Sequence, residues 1–205
     1  GLTPVIREML LHADVANTKW SWVRQHAITS VLPRVRLGMV EDFEKIREII
    51  LAYRSASGQF SGVEISNGQY PALHSRGDVP PLTNAATWRL NENEYLGVEA
   101  TTEMLLQSQG GVIRLFPFAS VLPTASFEGL RARGGFMVAA SCAAGVLTQA
   151  TIESLAGEVC RIRWDGEALP VVEELTASGA KRNVAVERGE RTISFATQAG
   201  ATYRV

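Results

Sequence analysis

Apolar residues change their spacing partway along this chain. Up to about residue 108 they recur every three or four positions; beyond Gly110-Gly111 they come in short runs separated by glycine. The first spacing belongs to helices with one buried face, the second to strands. Thr3 then Pro4 reads as an N-cap and first helical residue, with Val5, Ile6, Met9 and Leu10 as the apolar side of a helix to about Ala13. Trp20 to Leu37 places Trp22, Val23, Ala27, Ile28, Val31 and Leu32 at helical spacing; Pro33 predicts a kink or break, and Gly38 a stop. Val40 to Arg54 is the clearest helix, with Phe43, Ile46, Ile50 and Tyr53 on one face and Glu41, Glu44, Lys45, Arg47 and Glu48 on a solvated one. Ser55 to Ala85 is irregular, a loop length often associated with function. A further helix, about Tyr95 to Ser108, is expected to turn Val98, Thr101, Met104 and Leu105 toward a core and to stop at the paired glycines.

From there the pattern predicts strands at Val112 to Phe116, Phe136 to Ala140, Val146 to Leu155, Glu158 to Trp164, Asn183 to Glu187, Thr192 to Thr197 and Thr202 to Val205. Arg133-Gly-Gly135, Ala156-Gly157, Asp165-Gly166, Ser178-Gly179, Arg188-Gly189 and Ala199-Gly200 are the turns. Glycine turns about every ten residues point to an antiparallel sandwich. Helices followed by strands without alternation make the class α+β, with a helical region over 1–110 and a β-domain over 111–205. Arg131 and Arg133 with Gly134-Gly135 read as a turn or bulge that uses glycine freedom.

Composition narrows the chemistry. With 205 residues and 46% hydrophobic content the chain can bury a sizeable core, and a net charge of −1 gives no footprint for nucleic acid or an anionic membrane surface. The most apolar window, Gly134 to Ala150, is broken by Ser141, Gly145, Thr148 and Gln149 and is too short to span a bilayer. Cys142 and Cys160, far apart and in apolar surroundings, read as buried thiols. His12, His26 and His74 do not form a metal motif, so no metal is assigned. No G-x-S-x-G or phosphate-cradling loop occurs. The leading Gly-Leu-Thr-Pro lacks the features of a secretory signal and, without Met, reads as a piece of something longer; export and localisation stay open.

Acid concentrates at Glu92, Glu94, Glu99 and Glu103. Glu92 and Glu94 suit a helix N-terminus, and Glu99 and Glu103, four apart, call for basic partners. The alternative is a carboxylate site at the mouth of the helix. Three runs around it, Glu103-Met-Leu-Leu-Gln-Ser108, Gly111-Val-Ile-Arg-Leu-Phe-Pro117 and Gly129-Leu-Arg-Ala-Arg-Gly-Gly-Phe136, resemble in order and spacing the C-terminal part of glycoside hydrolase family 95, the inverting α-L-fucosidases and α-L-galactosidases. Ala150-Thr-Ile-Glu-Ser-Leu-Ala-Gly157 with Cys160-Arg161, the closing Gly200-Ala-Thr-Tyr203, and upstream Thr18-Lys-Trp-Ser21 fit the same resemblance.

The resemblance implies that the helices end an (α/α)₆ toroid and that the β-sandwich is the family's terminal domain. It further implies an oligosaccharide or glycoside substrate and inverting hydrolysis by two carboxyl groups with no cofactor. The general acid is expected in an upstream portion of the same protein, leaving this chain inactive alone. Where the family reads Gln-Ile-Asp-Gly-Asn-Phe-Gly, an ungapped alignment sets Glu92 at the catalytic aspartate and Glu94 at the asparagine. By that register Glu92 is the base and Glu94 positions water or sugar, while the resemblance of Thr18-Lys-Trp-Ser21 to the family's Thr-Gly-Trp-Ser makes Trp20 a sugar-facing wall. Glutamate for aspartate displaces the carboxylate by one methylene, which matters because an inverting base must hold its water closely. The competing reading is a non-catalytic scaffold or carbohydrate-binding module; sugar, linkage and oligomeric state stay open.

Overall fold

Helix gives way to strand at Leu105. The computed structural model describes residues 4, 5, 8, 31–52, 91–176 and 179–205, and the chain divides into two units, Gly1–Thr101 and Thr102–Val205.

In the first unit, positions 4, 5 and 8 are helical and α1 occupies 31–36. The turn before Pro33, where a kink or break would fall, lies outside the described residues, and α1 continues through Pro33. Its carbonyl accepts the Leu37 N–H at 2.9 Å, since proline lacks a donor and obstructs only the preceding turn. Gly38, at φ +66°, does end the helix. The Gly38 N–H returns to Val35 at 3.0 Å and the Met39 N–H to Arg34 at 3.0 Å, the paired bonds of a left-handed C-terminal cap. Arg34, fully buried, donates from Nε to Asp42 at 3.0 Å, tying α1 to the 3₁₀ turn Val40–Asp42 that leads into α2, Phe43–Ala52. Removing one side of such a buried pair costs roughly 3–5 kcal/mol. Along α2 the expected division holds: Ile46 is buried while Glu44, Arg47 and Glu48 are exposed. Tyr53 lies outside the described residues.

The helix α3 is Asn91–Leu105, starting earlier and stopping sooner than its apolar period predicts. Its buried face differs in part: Met104 is buried as expected, but Val98 is 55% exposed and Thr101 is exposed, whereas Gly97, Ala100 and Glu103 are buried. The buried positions include a glycine and an alanine, which ranking by side-chain size passes over. Leu106–Gln107 is already strand β1, which pairs antiparallel with β2, Arg114–Leu115. Gly110 and Gly111 therefore lie in the connection of a hairpin, within a 3₁₀ turn, and do not stop the helix. The expected strand Val112 to Phe116 contracts to β2, with Ile113 bridged to Ile162 in parallel.

The remaining strands are β3 Ala125–Ala132, β4 Phe136–Ala143, β5 Val146–Ser154, β6 Cys160–Arg163, β7 Val172–Leu175, β8 Lys181–Val184, β9 Glu187–Gly189, β10 Thr192–Phe195 and β11 Thr202–Arg204. They form a six-stranded sheet ordered β3-β4-β5-β11-β7-β8 and a three-stranded sheet ordered β6-β10-β9, with antiparallel pairing throughout both. Val138, Ala140, Ile152, Val172 and Tyr203 of the larger sheet share one core with Cys160, Ile162, Ile193 and Phe195 of the smaller, the arrangement of a sandwich. In β4, Phe136, Val138, Ala140 and Cys142 alternate inward as a half-buried strand requires.

Two strands escape the sequence pattern. In β3 a register shift between Phe127 and Leu130 breaks the alternation, and β7 contains Glu173 and Glu174, a residue type disfavoured in strands. The single strand expected from Asn183 to Glu187 is two strand ends in different sheets, with Ala185-Val186 crossing between them. The turn after β9 is Glu190-Arg191, with Arg191 at φ +54°, not Arg188-Gly189. The Arg133-Gly-Gly135 turn is where expected. Gly134 and Gly135 have φ +89° and +73°, and a Cβ on Gly135 would lie 2.9 Å from that of Ala156, so neither position suits a side chain.

Ile152, at 0% exposure, and Val146, at 65%, share β5 but not its environment. Ile152→Ala is expected to destabilise the chain by roughly 2–5 kcal/mol, and Val146→Ala by no more than about 0.5 kcal/mol. Equilibrium denaturation of the two variants checks this; equal losses would mean that the inner face is wrongly identified.

Candidate functional site

The three runs singled out in the sequence converge in space. Glu103 to Ser108 forms the last turn of α3 and β1, Gly111 to Pro117 contains β2, and Gly129 to Phe136 makes the β3–β4 hairpin. The Phe116 N–H donates to the Leu105 carbonyl at 2.8 Å, and the Arg133 N–H donates to Ser108 Oγ at 3.1 Å. The Phe116 and Phe127 rings pack tilted with centroids 5.4 Å apart. Phe116 holds φ +49°, a conformation that disfavours a bulky residue by about 1–2 kcal/mol. Its ring burial and the bond from its own N–H offset that cost.

Within α3 the four acids separate into two pairs. Glu92 and Glu94 occupy the first turn, where the helix dipole favours negative charge; their backbone is helical, and their side chains lie outside the described residues. Two positions apart on a helix means roughly 200° around its axis, so 92 and 94 occupy different faces. Trp20 lies outside the described residues, as do Trp22, His12, His26 and His74. The other pair has structural partners. Exposed Glu99 accepts from Arg36 Nη2, the basic partner that its spacing called for. Buried Glu103 instead accepts from the amide of Gln109 at 2.6 Å. Sequence separation hid Arg36, 63 positions away; Gln109 was hidden because the helix ends between the two residues.

The thiols are buried as expected, and both are free. Burial pushes Cys160 up to about 12. Cys142 Sγ lies 3.9 Å from the carbonyls of Leu122 and Pro123. Asp165 is held below the usual carboxylate range by hydrogen bonds from Arg191 and Arg163, at 2.6 and 3.1 Å. Its folded pKa being depressed, the pair's contribution is present at neutral pH and lost as pH falls through the folded value. The group is exposed, so solvent screening keeps that contribution small. Among the described residues no group of three or more His, Cys, Asp or Glu side chains could hold a metal ion, and no helix is long and apolar enough to cross a membrane.

Comparison with known proteins places the β-domain. Residues 107–205 match the family profile described as glycoside hydrolase family 95, C-terminal domain. No curated protein matches the chain. The match begins at Gln107, in β1, and takes in two of the three converging runs whole together with the end of the first.

A thiol with pKa about 12 is ionised at pH 8 only to the order of 10⁻⁴, and the thiolate is the reactive form. Cys160 in the native chain is therefore expected to react with a disulfide reagent at pH 8 at least about a hundredfold more slowly than in the unfolded chain. Rapid two-thiol labelling before unfolding, followed by absorbance, would contradict the packing of β4 and β6.

Proposed function

From the match of residues 107–205 to the glycoside hydrolase family 95 C-terminal domain, we propose that this chain is the C-terminal part of an inverting glycoside hydrolase acting on α-L-fucosides or related sugars. In this reading 1–110 is the end of an (α/α)₆ toroid and 111–205 the terminal domain. The family match carries the proposal. Its physical support is that the matched domain is continuous with α3, whose first turn carries Glu92 and Glu94.

Inversion requires one carboxyl group to protonate the leaving oxygen and another, roughly 6.5–9.5 Å away, to take a proton from the attacking water on the opposite side of the ring. Glu92 is assigned the second role, in which its carboxylate accepts the water proton as the oxygen attacks the anomeric carbon. The upstream portion of the protein supplies the acid. Glu94 positions water or sugar, and Trp20 stacks against the C–H side of the ring. The reaction needs no metal or organic cofactor. Because positions 92 and 94 differ by about 200° around the axis, the two carboxylates are not interchangeable.

A second reading has its own support. Glu99 and Glu103 are both tied into the fold, so an acid-rich helix can serve structure alone, and the chain would then be a scaffold or carbohydrate-binding module. Glu92→Gln in the full-length protein separates the two. As a base substitution it should lower kcat by a factor on the order of 10² or more while leaving sugar affinity nearly unchanged, with Glu94→Gln milder. An unchanged rate, with thermal stability altered by under about 1 kcal/mol, favours the scaffold.

The 205-residue chain alone is expected to show no turnover of aryl α-L-fucosides, because it holds one side of the acid–base pair. Reproducible release of the phenol by purified chain would overturn that assignment.

A further inference from the structure

Residues directly opposite each other across strands share a face of the sheet, and one such row changes chemistry along its length. Leu130 pairs with Val138, Val138 with Ile152, Ile152 with Tyr203, Tyr203 with Glu174, and Glu174 with Arg182. Val138, Ile152 and Tyr203 are at most 1% exposed, so this is the inner face. At its last two strands the face toward the core becomes a carboxylate and a guanidinium. The Arg182 guanidinium donates to Glu174 Oε2, and the side chains are 64% and 13% exposed respectively.

The smaller sheet does not fill the space beside this pair. A cleft of about 470 Å³ remains, lined by Glu174, Arg182, Asn183, Gln198, Thr197 and Tyr203, with Val184, Ala185 and Ala196 supplying apolar surface. Its far wall is held in place. The Gln198 N–H donates to the Tyr203 hydroxyl at 2.8 Å, and Thr197 Oγ1 lies 2.7 Å from Ser154 Oγ and donates to the Glu158 carbonyl at 2.5 Å. An inward charge on an edge strand discourages pairing with other chains, but that protection needs neither a cavity nor amides on an opposing wall. The volume lies within the roughly 300–1,000 Å³ of small-ligand sites.

We propose that this cleft is a binding site for a neutral oligosaccharide, separate from the hydrolytic site on α3. Glu174 and Arg182 cancel in charge, so the cleft favours neither a cation nor an anion. Together with Gln198 they offer donors and acceptors to a ligand that carries both, as vicinal hydroxyls do, while the apolar residues suit the C–H face of a pyranose. The sugar class follows from this lining. It does not depend on Glu92.

The test is a titration of isotope-labelled 205-residue chain with 2′-fucosyllactose and with maltotetraose, following backbone amides and the side-chain amide of Gln198 by NMR. Inorganic phosphate is the anionic control. Saturable shifts at the cleft residues are expected with at least one sugar, at a Kd on the order of 0.1–10 mM (about −5.5 to −2.7 kcal/mol). The double variant Arg182→Ala with Gln198→Ala, both exposed positions, should weaken binding at least tenfold with an unchanged amide spectrum elsewhere. Arg182→Met should do the same. No saturable shift up to 50 mM (on the order of a weak-binding limit), binding of phosphate alone, or equal binding by the double variant would overturn the proposal. Turnover by the full-length protein reports on Glu92 and is expected to be unaffected by the double variant on a small aryl glycoside, so either proposal can fail alone.

Discussion

The short hydrogen-bonded joint between Leu105 and Phe116 governs how the second unit is built. At 2.8 Å it satisfies a carbonyl left open at the end of α3, where helices have no internal partner for their last acceptors. The bond also holds Phe116 at a left-handed φ, swinging its ring onto Phe127 in β3. One hydrogen bond contributes only about 1 kcal/mol net. Its importance lies in geometry: it sets where the helix stops, how β1 and β2 pair, and where the first strand of the large sheet meets them.

Away from that joint the fold rests on ordinary apolar burial, with polar groups admitted where partners exist. Ser154 and Thr197 are buried together at 2.7 Å, and Tyr203 keeps its hydroxyl satisfied by Gln198 while its ring meets Phe195 with centroids 5.5 Å apart. In the first unit Arg34 is accepted into the interior against Asp42. The exception is the Glu174–Arg182 pair, which faces inward but remains reachable from solvent. A sandwich whose two sheets have six and three strands cannot cover its larger inner face completely. The uncovered end carries the polar residues.

These features assign the two ends of the functional reading to different kinds of support. The family relationship rests on the β-domain, which the match covers from Gln107 onward. The catalytic proposal rests on the first turn of α3, outside the match. What joins them is one uninterrupted helix, Asn91–Leu105, whose last turn makes the joint with Phe116.

The chain's own pattern determined the change from helices to strands, the face of α2, the cap at Gly38, the burial of both cysteines and most turns, because each depends on local spacing or on the conformational freedom of one residue. Three short runs in a fixed order also carried the resemblance that the match over 107–205 supports for the β-domain. What the pattern could not supply was whatever depends on residues distant in sequence. The buried side of α3 takes in Gly97, Ala100 and Glu103 rather than Val98, positions that hydrophobicity ranking passes over. The strand β3 hides behind a bulge, β7 behind its glutamates. Arg36 and Glu99 meet across 63 positions, and the cleft beside Arg182 exists only because one sheet is wider than the other. Period and propensity describe a residue against its neighbours in the chain; partners across sheets are chosen by packing, and only the tertiary structure decided them.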